Sequence, residues 1–373
     1  MKKQHLVLAG GGHAHMVTMA GISEIQSLGH RVTVIGPSDY HYYSGMGPGM
    51  LGSGYAPEDI RFTVRQTVES QGATYIRDRV TGVDPANRLL HLESGTTLSY
   101  DVLSFNTGSH VALPPISGNA DQIFTVKPIE RLYQAQLEIV SLAQKKEITV
   151  AVIGGGPAGA EVAGNISELL GSSPHPAKIL LFAGRGLLSK FPESVQSSSR
   201  KILTDNGVLI REDGYLVSID EKCLHFDSGE TEEVDFIILA TGVRPSSFFA
   251  EAGLRTGDDG GLLVNKYLQT PDHPEIFGGG DCICFEEQPL AKVGVYAVRE
   301  NPVLFHNLKA FLQGEALQEF EPGGDYLLIF NLGNGRGVLR KNWFQTSGRF
   351  AFIVKDWIDR KFMKKFQLKQ RGE

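Results

Sequence analysis

Two short stretches of this chain follow one plan and limit what it can fold into. Leu6-Val-Leu-Ala-Gly-Gly-Gly-His-Ala-His15 and Val150-Ala-Val-Ile-Gly-Gly-Gly-Pro-Ala-Gly-Ala-Glu161 are each an apolar run that breaks into three glycines and opens a helix-compatible segment. The first glycine permits a tight turn, and the second lets backbone approach a pyrophosphate. The third allows close helix–strand packing, leaving the phosphates on the positive end of the helix. One such motif is weak. Two, about 144 positions apart, suggest a protein that holds two dinucleotides face to face.

The length fits this reading, since 373 residues exceed one ordinary core. A hydrophobic fraction of 41% and a charged fraction of 21% describe a globular protein, and a net charge of −6 gives no case for nucleic-acid binding. Cys223, Cys282 and Cys284 make no extracellular disulfide framework and suit a reducing compartment. Met1-Lys-Lys-Gln-His runs straight into the first strand, and no run approaches the roughly 20 apolar residues of a bilayer span. A cytoplasmic protein is expected, or one peripheral on the inner face of the cytoplasmic membrane.

Along the chain, strand Leu6–Ala9, a helix from His13 to Ser27 and strand Val32–Ile35 form a first β-α-β unit. Short extended runs fill 75–105. Residues 126–144 read as a helix with Ile129, Leu132, Tyr133, Leu137 and Val140 on one side. A second β-α-β unit follows at 149–182, and strand Phe236–Ala240 closes it. The tail from Tyr326 reads as two short strands and a helix from Arg349 to Leu368. With no linker visible, the second unit is expected to be inserted in the first: 1–115 and 256–325 around 116–255, then a C-terminal segment 326–373.

Three further motifs fall in matching places. Tyr100-Asp-Val-Leu-Ser-Phe-Asn-Thr-Gly-Ser109 and Val234-Asp-Phe-Ile-Ile-Leu-Ala-Thr-Gly-Val-Arg-Pro245 each run from an acid through a buried strand to Thr-Gly, at Thr107-Gly108 and Thr241-Gly242. Thr270-Pro-Asp-His-Pro-Glu-Ile-Phe-Gly-Gly-Gly-Asp281 ends a strand in glycines and an aspartate able to accept a hydrogen bond from a ribityl hydroxyl. With these motifs the chain resembles the FAD-dependent pyridine nucleotide–disulfide oxidoreductase superfamily over roughly residues 4–325. Within it, the likeness is to type II NADH:quinone and sulfide:quinone oxidoreductases. Gly10-Gly-Gly-His-Ala-His15, Tyr43-Ser-Gly-Met-Gly-Pro-Gly49 and Pro289-Leu-Ala-Lys-Val-Gly-Val-Tyr-Ala-Val-Arg299 also resemble the flavoprotein domain fused to selenide, water dikinase.

The resemblance implies an α/β fold of two Rossmann-like domains, FAD on the first and NADH or NADPH on the second. FAD contacts then fall to Gly10, Gly12, His13, Ala14, His15, Ser44, Thr107, Gly108, Gly280, Asp281 and Lys292. NAD(P) contacts fall to Gly154, Gly156, Pro157, Ala158, Gly159, Glu161, Thr241 and Gly242. Lys292 is expected near the flavin's pyrimidine end, where a cation would stabilise the reduced ring. Glu161 is expected near the nicotinamide.

Departures from the pattern narrow the chemistry. No Cys-x4-Cys pair follows the first unit, where the chain reads Tyr40-His-Tyr-Tyr-Ser-Gly-Met-Gly-Pro-Gly-Met50, so glutathione-reductase-like chemistry is excluded. His15 replaces a usual glycine. Gly36 replaces the first ribose-binding acid, leaving Ser38 or Asp39. Phe182 replaces the second, with Arg185 available to a 2′-phosphate and NADH and NADPH both open. His13 and His15 suit packing and phosphate contact better than a metal, since no further ligands complete a site. Cys282 and Cys284 follow Asp281 at an expected helix N-terminus. That would lower a thiol pKa and permit a redox pair or a sulfur-accepting thiol, against the plainer reading of small buried residues.

The last helix sets Phe350, Ile353, Val354, Trp357 and Ile358 on one face, with Phe362 and Phe366 farther round. Lys355, Arg360, Lys361, Lys364 and Lys365 supply the other. An aromatic face with a basic flank suits a helix lying among lipid headgroups, and packing on the flavin domain or a homodimer contact are its other uses. The chain therefore reads as an NAD(P)H dehydrogenase passing electrons through FAD to a quinone or another small acceptor at a membrane surface. Oxidation of sulfide, selenide or another sulfur species, and a non-catalytic flavin sensor, stand as alternatives.

Overall fold

The computed structural model describes residues 3–118, 121, 123–184 and 186–370, with the backbone alone for 368–370. Two five-stranded parallel sheets carry it. The first runs, edge to edge, Ile276–Gly278, Val102–Phe105, His5–Ala9, Arg31–Gly36 and Thr74–Arg77. The second runs Ile123–Thr125, Phe236–Leu239, Ile148–Ile153, Ala177–Phe182 and Val208–Arg211. Numbered along the chain from the strand that enters each glycine turn, both place strands in the order fourth, first, second, third. In each, the step from third to fourth strand passes through a three-stranded antiparallel meander, at Val80–Ser99 and at Leu216–Glu233. Leu6, Val7, Leu8 and Val150, Ala151, Val152 are fully buried, as strands covered on both faces require. Each large apolar side chain so buried contributes about 1.5–3 kcal/mol.

The fifth strand distinguishes the sheets. It comes from beyond the second sheet in the first case and from before it in the second. The chain leaves through His110–Val111 and returns through Val243–Arg244, and these two segments pair antiparallel. After the Gly294–Gln313 helix, Leu328–Asn331, Gly337–Lys341 and Phe344–Gly348 form an antiparallel sheet, and the Arg349–Gln370 helix follows. That sheet seats on the Pro157–Leu170 helix so closely that a Cβ on Gly164 would lie 2.2 Å from the Leu332 carbonyl oxygen.

Several sequence expectations change. The helix expected over His13–Ser27 is a short 3-10 turn followed by two helices, Met16–Ala20 and Ile22–Ser27, broken at Gly21. The Phe305 ring presses there, 2.5 Å from where a Cβ would stand. The helix expected over 126–144 is Glu130–Ala143, and its buried face is Leu132, Ala135, Ile139 and Ala143, with Leu137 and Val140 exposed. Two alanines on the inner face gave no hydrophobic signal. The tail holds three strands, not two. Among the described residues no helix is long and apolar enough to cross a membrane.

Candidate functional site

Both glycine turns sit at the carboxyl ends of their sheets, beside the point where strand order reverses, which is where open α/β sheets take ligands. At Gly10 the backbone is left-handed (φ +102°), and a Cβ would stand 2.1 Å from the Asn106 carbonyl oxygen. At Gly154 (φ +133°) the same Cβ would meet the Ala240 carbonyl oxygen at 2.2 Å. The same contact thus recurs between first and fourth strands of both sheets, and only glycine fits it.

Around the first turn the structure brings together Gly12, Asn106, Gly280 and Ala14. Asn106 lies between Gly12 and Gly280, and Ala14 packs on Gly279. Buried His13 Nε2 and Asn106 Nδ2 have no hydrogen-bond partner, a costly state that a polar ligand would relieve. Asp281 accepts hydrogen bonds from the Lys127 ammonium and from Ser109 Oγ (2.9 Å), and Lys127 also donates to Ser109 (2.9 Å). Thr107 and Gly108 lie on the same loop, and Ser44 faces the start of the Gly294–Gln313 helix. These residues fit the FAD that the fold implies.

His15 is fully buried, with Nδ1 2.6 Å from the Gly10 carbonyl and Nε2 2.8 Å from Ser104 Oγ. Both ring nitrogens are used to tie the turn to the fourth strand, so any cofactor contact is left to its backbone. Burial holds its pKa near 4, a neutral ring. Asp39 is engaged with Arg65 and Arg77. Ser38 is partly buried, and its carbonyl accepts from the Tyr75 hydroxyl (2.5 Å), whose oxygen also fills the space beside Gly36.

Lys292 does not stand as a free cation. Its ammonium pairs with Asp259 (2.7 Å) and donates to the Ile283 carbonyl, along one wall of a small cleft shared with Gly280, Asp281, Tyr296 and Glu300. The nearer cation to Asp281 is Lys127, which precedes Pro128 on the loop from the edge strand Ile123–Thr125 to the Glu130–Ala143 helix; no sequence signal singled it out. The thiols are also placed differently from expectation. Gly280–Cys282 is a 3-10 turn running into strand Ile283–Phe285, so no helix begins there. Cys282 is fully buried, donates to the Gly279 and Phe105 carbonyls, and is pushed by burial up to about 11. Burial raises Cys284 too. Neither is an activated thiol.

At the second turn, a Cβ on Gly159 would overlap the Gly154 carbonyl oxygen at 1.8 Å, which locks helix to turn. A Cβ on Gly156 would meet nothing within 4 Å. Gly156, Pro157 and Ala158 are partly exposed at the start of a 14-residue helix whose N-cap forms no side-chain hydrogen bond. That is an open phosphate cradle. Thr241 and Gly242 are exposed beside it. Phe182 stacks on Phe226 (4.6 Å between centroids) in place of a ribose acid. Arg185 lies outside the described residues.

Glu161 turns toward the C-terminal segment. Its Oε1 accepts the Asn331 N–H (2.8 Å), and burial, opposed by the Lys355 charge, raises its pKa to about 7. Lys355, expected on a solvated basic face, is buried. It donates to the Gly45 carbonyl (2.7 Å) and to Asp359 (2.8 Å), which also accepts from the Tyr43 hydroxyl (3.1 Å). Phe362 packs on Tyr43 and His13, and Phe366 on Phe62. The buried face of the last helix is thus Ala351, Lys355, Asp359, Met363 and Phe366. Phe350, Ile353 and Trp357 remain 59%, 62% and 60% exposed. Helical periodicity separated the stripe of Phe350, Ile353 and Trp357 from Lys355 but left the lysine on a solvated face, because a charged side chain reads the same whether or not a distant Asp or carbonyl will pair with it. Among the described residues no group of three or more His, Cys, Asp and Glu could hold a metal ion.

One prediction arises from Glu161. A carboxyl whose folded pKa lies above its unfolded value stabilises the fold while protonated, so its contribution is complete below about pH 4.5 and lost as pH rises through about 7. Glu300, buried against the Gly280 N–H, behaves alike. The buried neutral histidines act in the opposite sense over the same range, so the test is a difference: between pH 4.5 and 7 the parent's denaturation midpoint should lose ground to that of Glu161→Gln. A difference that does not change with pH would contradict the burial argument.

Comparison with known proteins agrees with this geometry. The family model described as pyridine nucleotide-disulphide oxidoreductase matches residues 4–304. The chain is 25% identical to ferroptosis suppressor protein 1 of Xenopus laevis, covering 94% of each chain. It is 24% identical to the type II NADH:quinone oxidoreductase of Staphylococcus saprophyticus, covering 96% of this chain and 94% of that one. Among solved structures, NDH2 from Plasmodium falciparum in complex with NADH superposes with a TM-score of 0.81 at 15% identity, over 99% of this chain and 98% of that one. The sulfide:quinone oxidoreductase of Aquifex aeolicus gives 0.77 at 16%, over 98% and 92%. With its two glycine turns on matching sheets and a family match over most of its length, the chain belongs to the pyridine nucleotide-disulphide oxidoreductase family.

Proposed function

We propose that this oxidoreductase takes a hydride from NADH or NADPH and passes the electrons to a quinone at a membrane surface. The domain plan is 1–115 and 256–325 for FAD, 116–255 for NAD(P) and 326–373 for the surface. FAD, when bound, supplies the chemistry that couples a two-electron hydride donor to an acceptor. The chain's residues position and shield. Gly10, Gly12 and Asn106 would admit the pyrophosphate, and Asp281 the ribityl chain. Lys127 brings positive charge to that end of the site. Gly156 and the helix start at Pro157 would take the phosphates of the nicotinamide cofactor. Tyr43, Lys355, Asp359 and Glu161 close the seam between the two sheets and the last helix, and keep water out of it.

The observation that carries the reading is the split last helix. Its inner face seals that seam while Phe350, Ile353 and Trp357 stand exposed on the outer one. The hairpin turn before it adds Trp343, 92% exposed. Aromatic and branched apolar side chains held outward beside Arg360, Lys361, Lys364 and Lys365 suit the headgroup region of an anionic bilayer. Flotation with vesicles containing about one-third phosphatidylserine should carry the protein, and replacing Phe350, Ile353 and Trp357 by Ser should release it without altering its melting temperature. Binding unaffected by that triple change would remove the membrane surface from the proposal.

Anaerobic stopped-flow tests the redox reading: flavin absorbance should bleach on mixing with NADH or NADPH and return with a soluble quinone analogue. Bleaching by sulfide alone would overturn it, as would strictly sequential steady-state kinetics, since donor and acceptor are expected to act in turn.

A further inference from the structure

His13, one of the residues expected at the FAD site, is hydrogen-bonded to His41, which none of the roles above uses. His41 Nε2 lies 2.7 Å from His13 Nδ1, and the rings meet edge to face. Tyr43, Phe62 and Phe362 enclose His13, so the pair spans the seam between the first glycine turn and the last helix. The two ends of the pair differ. His13 Nε2 is buried without a partner. His41 is only partly buried and lies on a two-stranded ribbon beside exposed Tyr40.

We infer that His41 and His13 are a proton relay, leading from solvent to the acceptor side of the seam. The inference rests on the quinone reading, whose balance is NAD(P)H + H⁺ + quinone → NAD(P)⁺ + quinol. The hydride supplies two electrons and one hydrogen, so the second hydrogen must arrive as a proton. His13 Nε2–H gives that proton to the reduced acceptor. His13 Nδ1 takes its replacement from His41 Nε2–H, and His41 Nδ1 takes one from water. No net charge is stored in the protein; before the next turnover the rings must turn and exchange their protons with water to recover the starting tautomers, since rotation alone leaves each proton on Nδ1. A neutral pair suits this relay. Burial and then the nearby Lys127 charge hold His13 at about 4, and burial, His13 and Lys127 hold His41 well below its usual value. Tyr43, which also faces the pair, is kept neutral by burial and by Asp359. His13 acts on the acceptor directly, and His41 acts through His13.

Two acceptors separate this role from a structural one. Ferricyanide takes one electron and no proton, whereas a short-chain ubiquinone analogue needs the proton. In His41→Phe, quinone turnover should fall on the order of 10²-fold, with ferricyanide turnover retained, and added imidazole should restore part of the loss. His41→Gln guards against a folding defect in the first variant. Wild-type enzyme should show a solvent deuterium isotope effect with quinone only. Equal losses with both acceptors, no loss, or no isotope effect would overturn the relay. Wild-type enzyme that reduces ferricyanide but no quinone would overturn the acceptor reading, and the relay with it, before any variant is made. Independently of turnover, ¹⁵N-histidine NMR should show two neutral imidazoles coupled through one N–H···N bond at pH 7. A doubly protonated His13 there would also overturn it.

Discussion

Lys355→Met is expected to destabilise the protein by about 3–5 kcal/mol, the usual cost of leaving one partner of a buried ion pair alone. The ammonium is held by the Gly45 carbonyl and Asp359, in the field of Glu161. Methionine fills the space and supplies none of this. Asp359 keeps its bond from Tyr43 but loses its counter-charge, and Glu161 loses the group that opposes its rise in pKa. The variant should therefore lose more stability at pH 8 than at pH 5, where the carboxyls can take up protons. Urea denaturation at both pH values measures this. Adding Asp359→Leu should recover much of the loss, because two apolar side chains no longer bury a lone charge. A single variant within 1 kcal/mol of the parent would show that water reaches the pair.

Gly159→Val should abolish use of the nicotinamide cofactor and destabilise the second sheet by about 3 kcal/mol or more, at the upper end of overpacking costs. The new Cβ would stand 1.8 Å from the Gly154 carbonyl oxygen. That oxygen cannot retreat, because Gly154 is itself pressed against Ala240 from the neighbouring strand. Gly156→Ala is the control. With no heavy atom within 4 Å of its Cβ position, it should leave melting unchanged while its methyl blocks the approach of a phosphate. Calorimetric melting and titration with NADH and NADPH distinguish the two. A Gly159→Val protein that melts and binds like the parent would refute the packing argument.

The parallel sheets, the paired glycine turns and the Thr-Gly loops were all readable from local pattern. Each depends on residues close in sequence: an apolar run, a glycine at a left-handed or crowded position, a helix start. The same holds for the stripe of Phe350, Ile353 and Trp357. Failures came where two distant segments decide the outcome. Lys127 is an ordinary lysine until its loop folds over Asp281. Cys282 looked activated only because a helix was expected after Asp281, and the strand that stands there buries the thiol instead. His41 drew no attention, since its importance lies in a single nitrogen facing His13, 28 positions earlier.

The sequence by itself determined that two nucleotide-binding sheets would form and where their turns would lie, because hydrophobic period and glycine sterics act within a few residues. Only the tertiary structure decided which charges are buried. It alone brings Glu161, Lys355, Asp359 and Tyr43 to one seam, and the low dielectric there, rather than the residues' own chemistry, sets what each can do.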